Sequence, residues 1–396
     1  MQVIVRAGDT LWQYSRLFQV PLALIADSNP NVNPQSLSPG MMLHIPGYVT
    51  VNHSVRAGDS LWRIAVHYGM PLHAVLAANP GIDPAALRVG QLIRIPRRVT
   101  WLVAETQQPY DYAALNRDLN RLSAVYPFLR RRAIGSSVMG KPIPEIMIGR
   151  GEKNVHVNGA FHGNEWITTP ILVRFMNEYL MALTNAAAIR GRFMLPYYDI
   201  ASLSVVPMVN PDGVDLVVNG RPQQEPYRSQ VLEINGGSED FSGWKANIRG
   251  VDLNNQYPAQ WEREAQRGPR SPAPRDYAGT GPLTEPESIA IANLTRERNF
   301  DRVLAFHTQG EVIFWGYENL ETEAAEQLVN EFARVSGYQP IRYAESFAGF
   351  KDWFIQDWRR PGYTVEAGRG TNPLPLAQLE ENYQKSLGIL LAALYA

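Results

Sequence analysis

Residues 5–12 read Val-Arg-Ala-Gly-Asp-Thr-Leu-Trp and residues 55–62 read Val-Arg-Ala-Gly-Asp-Ser-Leu-Trp, so the chain opens with one module written twice. The register holds without a gap. Pro21-Leu22 recurs as Pro71-Leu72, Asn29-Pro30 as Asn79-Pro80, and Gly40 with Ile45-Pro46 as Gly90 with Ile95-Pro96, a period of 50 residues. Stacked repeats need about three units or more to bury a continuous core, so two copies must each fold as a small domain. Within a copy, residues 2–5 alternate as a short strand, and Asp9 or Thr10 can cap a helix carrying Leu11, Trp12 and Leu17 on one side. Pro21 can open a second helix that ends near Asn29-Pro30, and residues 43–45 supply a closing strand. Leu11, Trp12, Leu61 and Trp62 are assigned to the two cores.

This βααβ order, with Gly-Asp-Thr/Ser-Leu-Trp, Asn-Pro and a terminal Gly-x-x-Leu/Ile-x-Ile-Pro, resembles the LysM module at both positions. The resemblance implies binding of N-acetylglucosamine-containing glycans, meaning peptidoglycan or chitin oligomers. Its contacts would come from the loops after the first strand and before the second. In this chain those are Gly8, Asp9, Thr10, Asn29 and Pro30, with Gly58, Asp59, Ser60, Asn79 and Pro80 in the second copy. Two weak sites in tandem gain avidity on a polymer through effective concentration, without any new contact.

A chain of 396 residues, 45% hydrophobic and 19% charged, has the composition of an ordinary globular protein of more than one domain. Residues 1–98 carry eight Arg against four Asp, a charge of +4 that leaves −5 of the net −1 to the remainder. Charges this small point away from nucleic acid. The absence of cysteine excludes disulfides, thiol catalysis and Cys-ligated zinc, so a metal would have to be held by His and carboxylate. No apolar stretch approaches the roughly 18 residues of a membrane span, and with a strand expected from the first residues the reading expects no signal peptide. The expected organisation is module one at 1–48, module two at 51–98, a polar hinge at 99–108 and a second fold at 109–396.

In that second fold, Leu115, Leu119, Leu122 and Val125 have helical spacing, and residues 133–148 read as a hairpin turning at Met139-Gly140-Lys141. Strands are expected at 155–159, 202–209, 303–307 and 363–366, and helices at 166–183, 285–298 and from about 376. Strands alternating with helices define an α/β domain with a mixed, largely parallel central sheet and helices on both faces. Sites in such sheets form at the carboxyl ends of strands. The strand at 155–159 runs into His162-Gly163-Asn164-Glu165, and the strand at 303–307 ends in His307. Catalytic zinc takes three N/O protein ligands and leaves a position open, and two His with one Glu is a common set. Of seven histidines, His44, His53, His67 and His73 lie in the modules, and His156 sits inside a strand as a core residue.

The distributed motifs His162-Gly163-Asn164-Glu165-Trp166, Pro207-Met208-Val209-Asn210-Pro211-Asp212-Gly213, Gly250-Val251-Asp252-Leu253-Asn254, Glu285-Pro286-Glu287, the strand ending in His307 and Thr364-Val365-Glu366 resemble the zinc carboxypeptidase family (carboxypeptidase A-like, peptidase family M14) from about Tyr110 to the end. The resemblance implies one Zn2+ held by His162, Glu165 and His307, with Glu366 as general base. A cation is also wanted where the oxyanion develops. Arg249 is the candidate and Lys245 the runner-up. Tyr343 stands upstream of Asp352-Trp353 much as the family's substrate tyrosine does, with the spacing off by one.

One departure redirects the functional reading. Family members that trim C-termini read Asp-x-Asn-Arg and grip the terminal carboxylate with Asn and Arg, whereas this chain reads Asp252-Leu253-Asn254-Asn255-Gln256. An amide does not replace a bidentate arginine for an anion. The Asn255-Gln256-Tyr257-Pro258 and His307-Thr308-Gln309-Gly310-Glu311 variants look like the bacterial branch that cleaves γ-D-glutamyl bonds to diaminopimelate, whose members often carry tandem LysM modules. Asn254, Asn255, Gln309 and Tyr343 are the expected substrate contacts, with Glu311 and Arg249 as further candidates for recognising diaminopimelate. Such an enzyme would be cell wall-associated or extracytoplasmic, with sporulation among its settings. A conventional zinc carboxypeptidase and a catalytically weak wall- or chitin-binding protein remain open alternatives.

Overall fold

The computed structural model describes residues 1–343 and 346–396, and its backbone divides into two compact units. The first comprises Met1–Ala104, Leu119–Arg130 and Met176–Pro196; the second comprises Glu105–Asp118, Arg131–Phe175 and Tyr197–Ala396. Among the described residues, no helix is long and apolar enough to cross a membrane.

Each N-terminal copy is a βααβ module. In the first, Gln2–Ile4 pairs antiparallel with Met42–His44 around helices Leu11–Phe18 and Leu22–Asp27. In the second, Tyr48–Ser54 pairs with Leu92–Arg98 around helices Leu61–His67 and Leu72–Ala78. Thr10 starts the first helix with a reciprocal cap: its hydroxyl accepts from the Gln13 amide at 3.2 Å, and the Gln13 side chain accepts from the Thr10 amide at 2.7 Å. Leu11, Tyr14 and Phe18 point inward, one face of a helix at i, i+3 and i+7. Trp12 lies about 100° around the helix from Leu11 and is 61% exposed, and Trp62 is 62% exposed, so the assignment of these two tryptophans to the core is corrected while Leu11 and Leu61 are buried.

The stretch expected to be a hinge is tied down. Val99 donates to the Gly47 carbonyl at 2.9 Å and accepts from the Asn185 side chain at 3.0 Å, and the Val103 and Ala104 amides both donate to the Asn177 side chain, at 2.7 and 2.9 Å. Polar composition at 99–108 signalled solvent, but Val99, Ala104 and Thr106 are buried.

The second unit is built on an eight-stranded mixed sheet. In chain order its strands are β1 (Arg130–Ser136), β2 (Pro142–Gly149), β3 (Lys153–Gly159), β4 (Ala201–Val206), β5 (Arg302–His307), β6 (Val312–Phe314), β7 (Gln339–Ile341) and β8 (Gly362–Glu366). Their spatial order is β7-β6-β8-β5-β3-β4-β2-β1. The central four, β4-β3-β5-β8, are parallel, and antiparallel pairings β2–β4 and β6–β8 flank them. Strands covered on both faces read as continuous apolar runs, which is why β4 is buried at every position and β3 from Val155 onward. An aromatic core of Phe161, Tyr257, Phe300, Phe350 and Trp353 packs together with Val303 and Ala305 of β5. From β3 the chain crosses to β4 on one side, whereas from β5 it proceeds to β6 and β8 on the other. The crevice between the carboxyl ends of β3 and β5 is therefore the topological switch point, where sites form in open α/β sheets.

Candidate active site

The residues after β3 turn sharply into a single 3-10 turn, Gly163–Glu165, that places His162 and Glu165 side by side. The approach leaves no room for a side chain at residue 163, where a Cβ would come within 2.5 Å of the Gly213 carbonyl oxygen. Asn210 holds the neighbouring loops in place: its amide group donates to the Phe161 and Ala246 carbonyls at 3.1 and 2.9 Å and its oxygen accepts from the Gly213 amide at 2.9 Å. The Asn-Pro-Asp-Gly motif thus acts as scaffold beneath the His162 loop. Across the crevice, β5 delivers His307, directly in register with Glu366 on β8.

His162, Glu165 and His307 converge, with one ligand atom from each lying within 4.8 Å of the others. His162 Nδ1 lies 2.8 Å from Glu165 Oε1, His307 Nδ1 lies 2.9 Å from Glu165 Oε2, and the two Nδ1 atoms are 3.3 Å apart. All three residues are buried. Two imidazole nitrogens and a carboxylate aimed at one point can share only a proton or two, so their lone pairs fit a cation better than they fit one another. His307 Nε2 is buried without a hydrogen-bond partner among the described residues. On the far side of His162, Nε2 sits 3.1 Å from Asp252 Oδ1, the carboxylate–imidazole contact that fixes which ring nitrogen faces a metal. This donor set fits zinc with one position left open.

The charges reinforce one another. Burial alone would lower the His162 pKa, but Glu165 and Asp252 outweigh it and push it up to about 9. Burial works against ionised Glu165, yet the two imidazoles hold it far below the usual carboxylate range. Asp252, equally buried, is held low by Lys245 and His162. Burial depresses His307. Glu366 goes the other way, raised to about 8 by burial and by the Glu165 charge.

A cleft of about 510 Å³ opens over this cluster, lined by His162, Asn164, Glu165, Lys245, Arg275, Thr308, Gln309, Glu366 and Asn372 among others. Asn372 closes one wall: its amide donates to the Thr308 carbonyl at 2.8 Å, and its oxygen accepts from the Thr308 hydroxyl at 2.8 Å. The cleft gathers Gln309 and Glu366 as expected, but several other candidates lie elsewhere. Arg249 does not line it. Asn247 accepts from the Arg249 and Val251 amides at 3.0 and 3.1 Å, a turn that sends Arg249 toward Glu285 at 3.5 Å. Lys245, four residues earlier, is the lysine in the cleft, 3.5 Å from Asp252 and 3.2 Å from Asp276. Tyr343 lines a separate depression, where its hydroxyl meets Asn319 at 2.7 Å and Glu321 at 3.1 Å. Asn254 and Asn255 are also outside the cleft lining, and Asn254 accepts from the Phe350 amide at 3.2 Å. Glu311 is engaged by Lys385 at 2.5 Å and Arg369 at 2.9 Å. His156 is a core residue as expected, 3.1 Å from Ser204 and from Asn158 and stacked on Phe300.

In the modules, Gly8, Thr10, Pro30, Gly58 and Pro80 are exposed, and Asp9, Asp59 and Ser60 are half-buried. Asn29 and Asn79 are not available to a ligand. Asn29 donates to the Ile25 and His44 carbonyls at 2.8 and 2.9 Å and accepts from the His44 amide at 2.8 Å, and Asn79 repeats the pattern with Val75 and Arg94. They clamp the second helix to the closing strand. The Asp9 carboxylate accepts from the Arg6 amide at 2.8 Å and from the Tyr14 hydroxyl at 2.5 Å, so it too is a fold determinant.

A buried His-Glu-His cluster at the switch point of a mixed α/β sheet, with a second glutamate in register beside it, is the arrangement of a metallopeptidase. The zinc carboxypeptidase family matches residues 115–386, and the LysM domain matches residues 3–46 and 53–96; the chain belongs to the zinc carboxypeptidase family and carries two LysM domains ahead of the peptidase. It is 60% identical over 395 residues to gamma-D-glutamyl-L-diamino acid endopeptidase 1 of Lysinibacillus sphaericus, covering 100% of both chains. It is 46% identical over 301 residues to the uncharacterized protein YqgT of Bacillus subtilis, covering 75% of this chain and 79% of that one. Among solved structures, bovine thrombin-activatable fibrinolysis inhibitor bound to tick carboxypeptidase inhibitor shares the fold, with a TM-score of 0.55 at 18% identity over 73% of this chain and 97% of that one.

Proposed function

We propose that this protein hydrolyses the bond between γ-D-glutamate and the L-centre of meso-diaminopimelate in peptidoglycan stem peptides. In this reading residues 1–48 and 51–98 hold the glycan strand and residues 109–396 cut the stem hanging from it, at the cell wall. The observation that carries the reading is the full-length 60% identity to a gamma-D-glutamyl-L-diamino acid endopeptidase. Asn255, in place of an arginine clamp for a C-terminal carboxylate, supports it over ordinary C-terminal trimming.

His162, Glu165 and His307 would hold the zinc, which as a Lewis acid supplies polarisation of the scissile carbonyl and activation of the attacking water. Asp252 keeps the His162 ring turned so that Nδ1 faces the metal position. Glu366 takes the proton of the attacking water and passes it to the departing α-amine of diaminopimelate. Lys245, rather than Arg249, supplies the cation for the developing oxyanion, a role worth about 3 kcal/mol for one preorganised donor. Gln309 contacts the substrate from the cleft wall. The exposed loops around Gly8 to Thr10 and Gly58 to Ser60 contact N-acetylglucosamine units.

The test is to digest purified peptidoglycan with zinc-loaded protein and label newly exposed amines. Label on the L-centre of diaminopimelate is the expected result. Label only on released C-terminal amino acids other than diaminopimelate would assign the protein to conventional carboxypeptidases.

A further inference from the structure

A γ-linked D-glutamyl residue carries one negative charge near the reacting atom, its free α-carboxylate. Three carbons separate that carboxylate from the scissile carbonyl, and amidation of the carboxylate removes its charge without changing its shape. A cleft that favours the acid over its carboxamide needs a cation placed to meet that carboxylate.

Two cations line the cleft, Lys245 and Arg275. Lys245 is the cation assigned above to the oxyanion; its side chain is 19% exposed and its ammonium lies between Asp252 at 3.5 Å and Asp276 at 3.2 Å. Arg275 is 60% exposed, and its Nε donates to Asp276 Oδ2 at 2.9 Å. Its two terminal amino groups make no hydrogen bond or ion pair among the described residues. Asp276, in a left-handed conformation with φ 63°, thus places one carboxylate between the two cations. A continuous series of four contacts runs from His162 through Asp252, Lys245 and Asp276 to Arg275, so the guanidinium is linked to the metal-ligand cluster and lies inside the same cleft.

We propose that Arg275 receives the free α-carboxylate of the γ-D-glutamyl residue through its two terminal amino groups, and is the residue that favours this acid over its carboxamide. The inference rests on the peptidase reading above. A planar guanidinium with both outer nitrogens open and Nε anchored has the fork geometry for a carboxylate, and the anchor limits the rotamer freedom lost on binding. Lys245 is left to the carbonyl oxygen.

The test pairs a substrate change with a side-chain change in the full-length, zinc-loaded protein. The substrates are L-Ala-γ-D-Glu-meso-diaminopimelate and its counterpart with the glutamyl α-carboxylate converted to a carboxamide. In wild-type protein amidation is expected to lower kcat/KM by about 10- to 100-fold, the worth of a charge-assisted hydrogen bond. Arg275→Ala should lower the acid substrate by a similar factor and leave the amide within about threefold, while Arg275→Lys recovers part of the loss. The same pattern is expected in dissociation constants measured by calorimetry on Glu366→Gln protein, a readout that does not depend on turnover. Equal loss on both substrates, or no loss on either, would overturn the role of Arg275. If wild-type protein cleaves neither, the γ-glutamyl reading itself fails and this proposal with it.

Discussion

Replacing Asp252 with Asn tests whether the His162 ring is held for a metal. Asp252 is buried and accepts from the Asn254 amide at 3.0 Å, lies 3.1 Å from His162 Nε2 and sits 3.5 Å from Lys245 Nζ. The asparagine has the same shape and keeps an oxygen for the Asn254 amide, so the 3-10 turn at Leu253–Asn255 should persist. What it removes is the negative charge behind His162, which together with Glu165 raises that imidazole to about 9 and makes Nδ1 a stronger donor. A hydrogen bond to a charged group contributes about 1.5–3 kcal/mol, or roughly 10- to 150-fold in a binding constant. Loss of a carboxylate partner to a metal-bound histidine typically weakens affinity by about 10- to 100-fold. The prediction is therefore a zinc dissociation constant weakened by about 10- to 100-fold, measured by competition with a chromophoric chelator, with the circular dichroism spectrum unchanged. An affinity within twofold of wild type in a folded variant would refute the assigned geometry.

Three further outcomes follow from the same structure. Asn29→Ala leaves the His44 amide and two carbonyls without partners, at a cost of about 3 kcal/mol, and should speed hydrogen exchange at the His44 amide by about 100-fold while the peptidase unit stays protected. Trp12→Ala with Trp62→Ala should change unfolding free energy by about 0.5 kcal/mol or less at each site, against about 3–5 kcal/mol for a core tryptophan; a large loss would return both rings to the core. Burial lowers the His156 pKa from 6.5 to about 4, so the unfolded chain binds the proton more tightly; this stabilisation is complete above pH 6.5 and is lost as pH falls to about 4. It amounts to about 3 kcal/mol, and urea titrations of His156→Gln should lack that part of the pH dependence; an unaltered slope would exclude His156 as its source.

Much of this arrangement was legible in the sequence because local signals and strand ends coincide. His162, Glu165, His307 and Glu366 fall where apolar runs stop, and parallel sheets place such positions in one crevice. The misplacements have identifiable causes. Arg249 and Lys245 are four residues apart, and only the Asn247 turn decides which enters the cleft. Tyr343 is held by Asn319 and Glu321, more than 20 residues away in sequence, and no local pattern reports such a contact. Asn29 looked like a ligand residue because it repeats, but it repeats as a clamp on His44, 15 residues on. Trp12 was readable: Leu11, Tyr14 and Phe18 define the inward face by helical phase, and a residue directly after Leu11 falls off it. Arg275 lies in a loop with no motif, and its position depends on Asp276 and the fold around it.

The central claim is that Glu366 and the His162-Glu165-His307 cluster break a γ-D-glutamyl bond. Mass spectrometry of L-Ala-γ-D-Glu-meso-diaminopimelate incubated with zinc-loaded wild-type and Glu366→Gln protein tests it most directly. Release of L-Ala-D-Glu and free diaminopimelate by wild type, falling by several orders of magnitude in the variant, is the predicted result. An intact stem alongside digestion of a plain C-terminal dipeptide would contradict it.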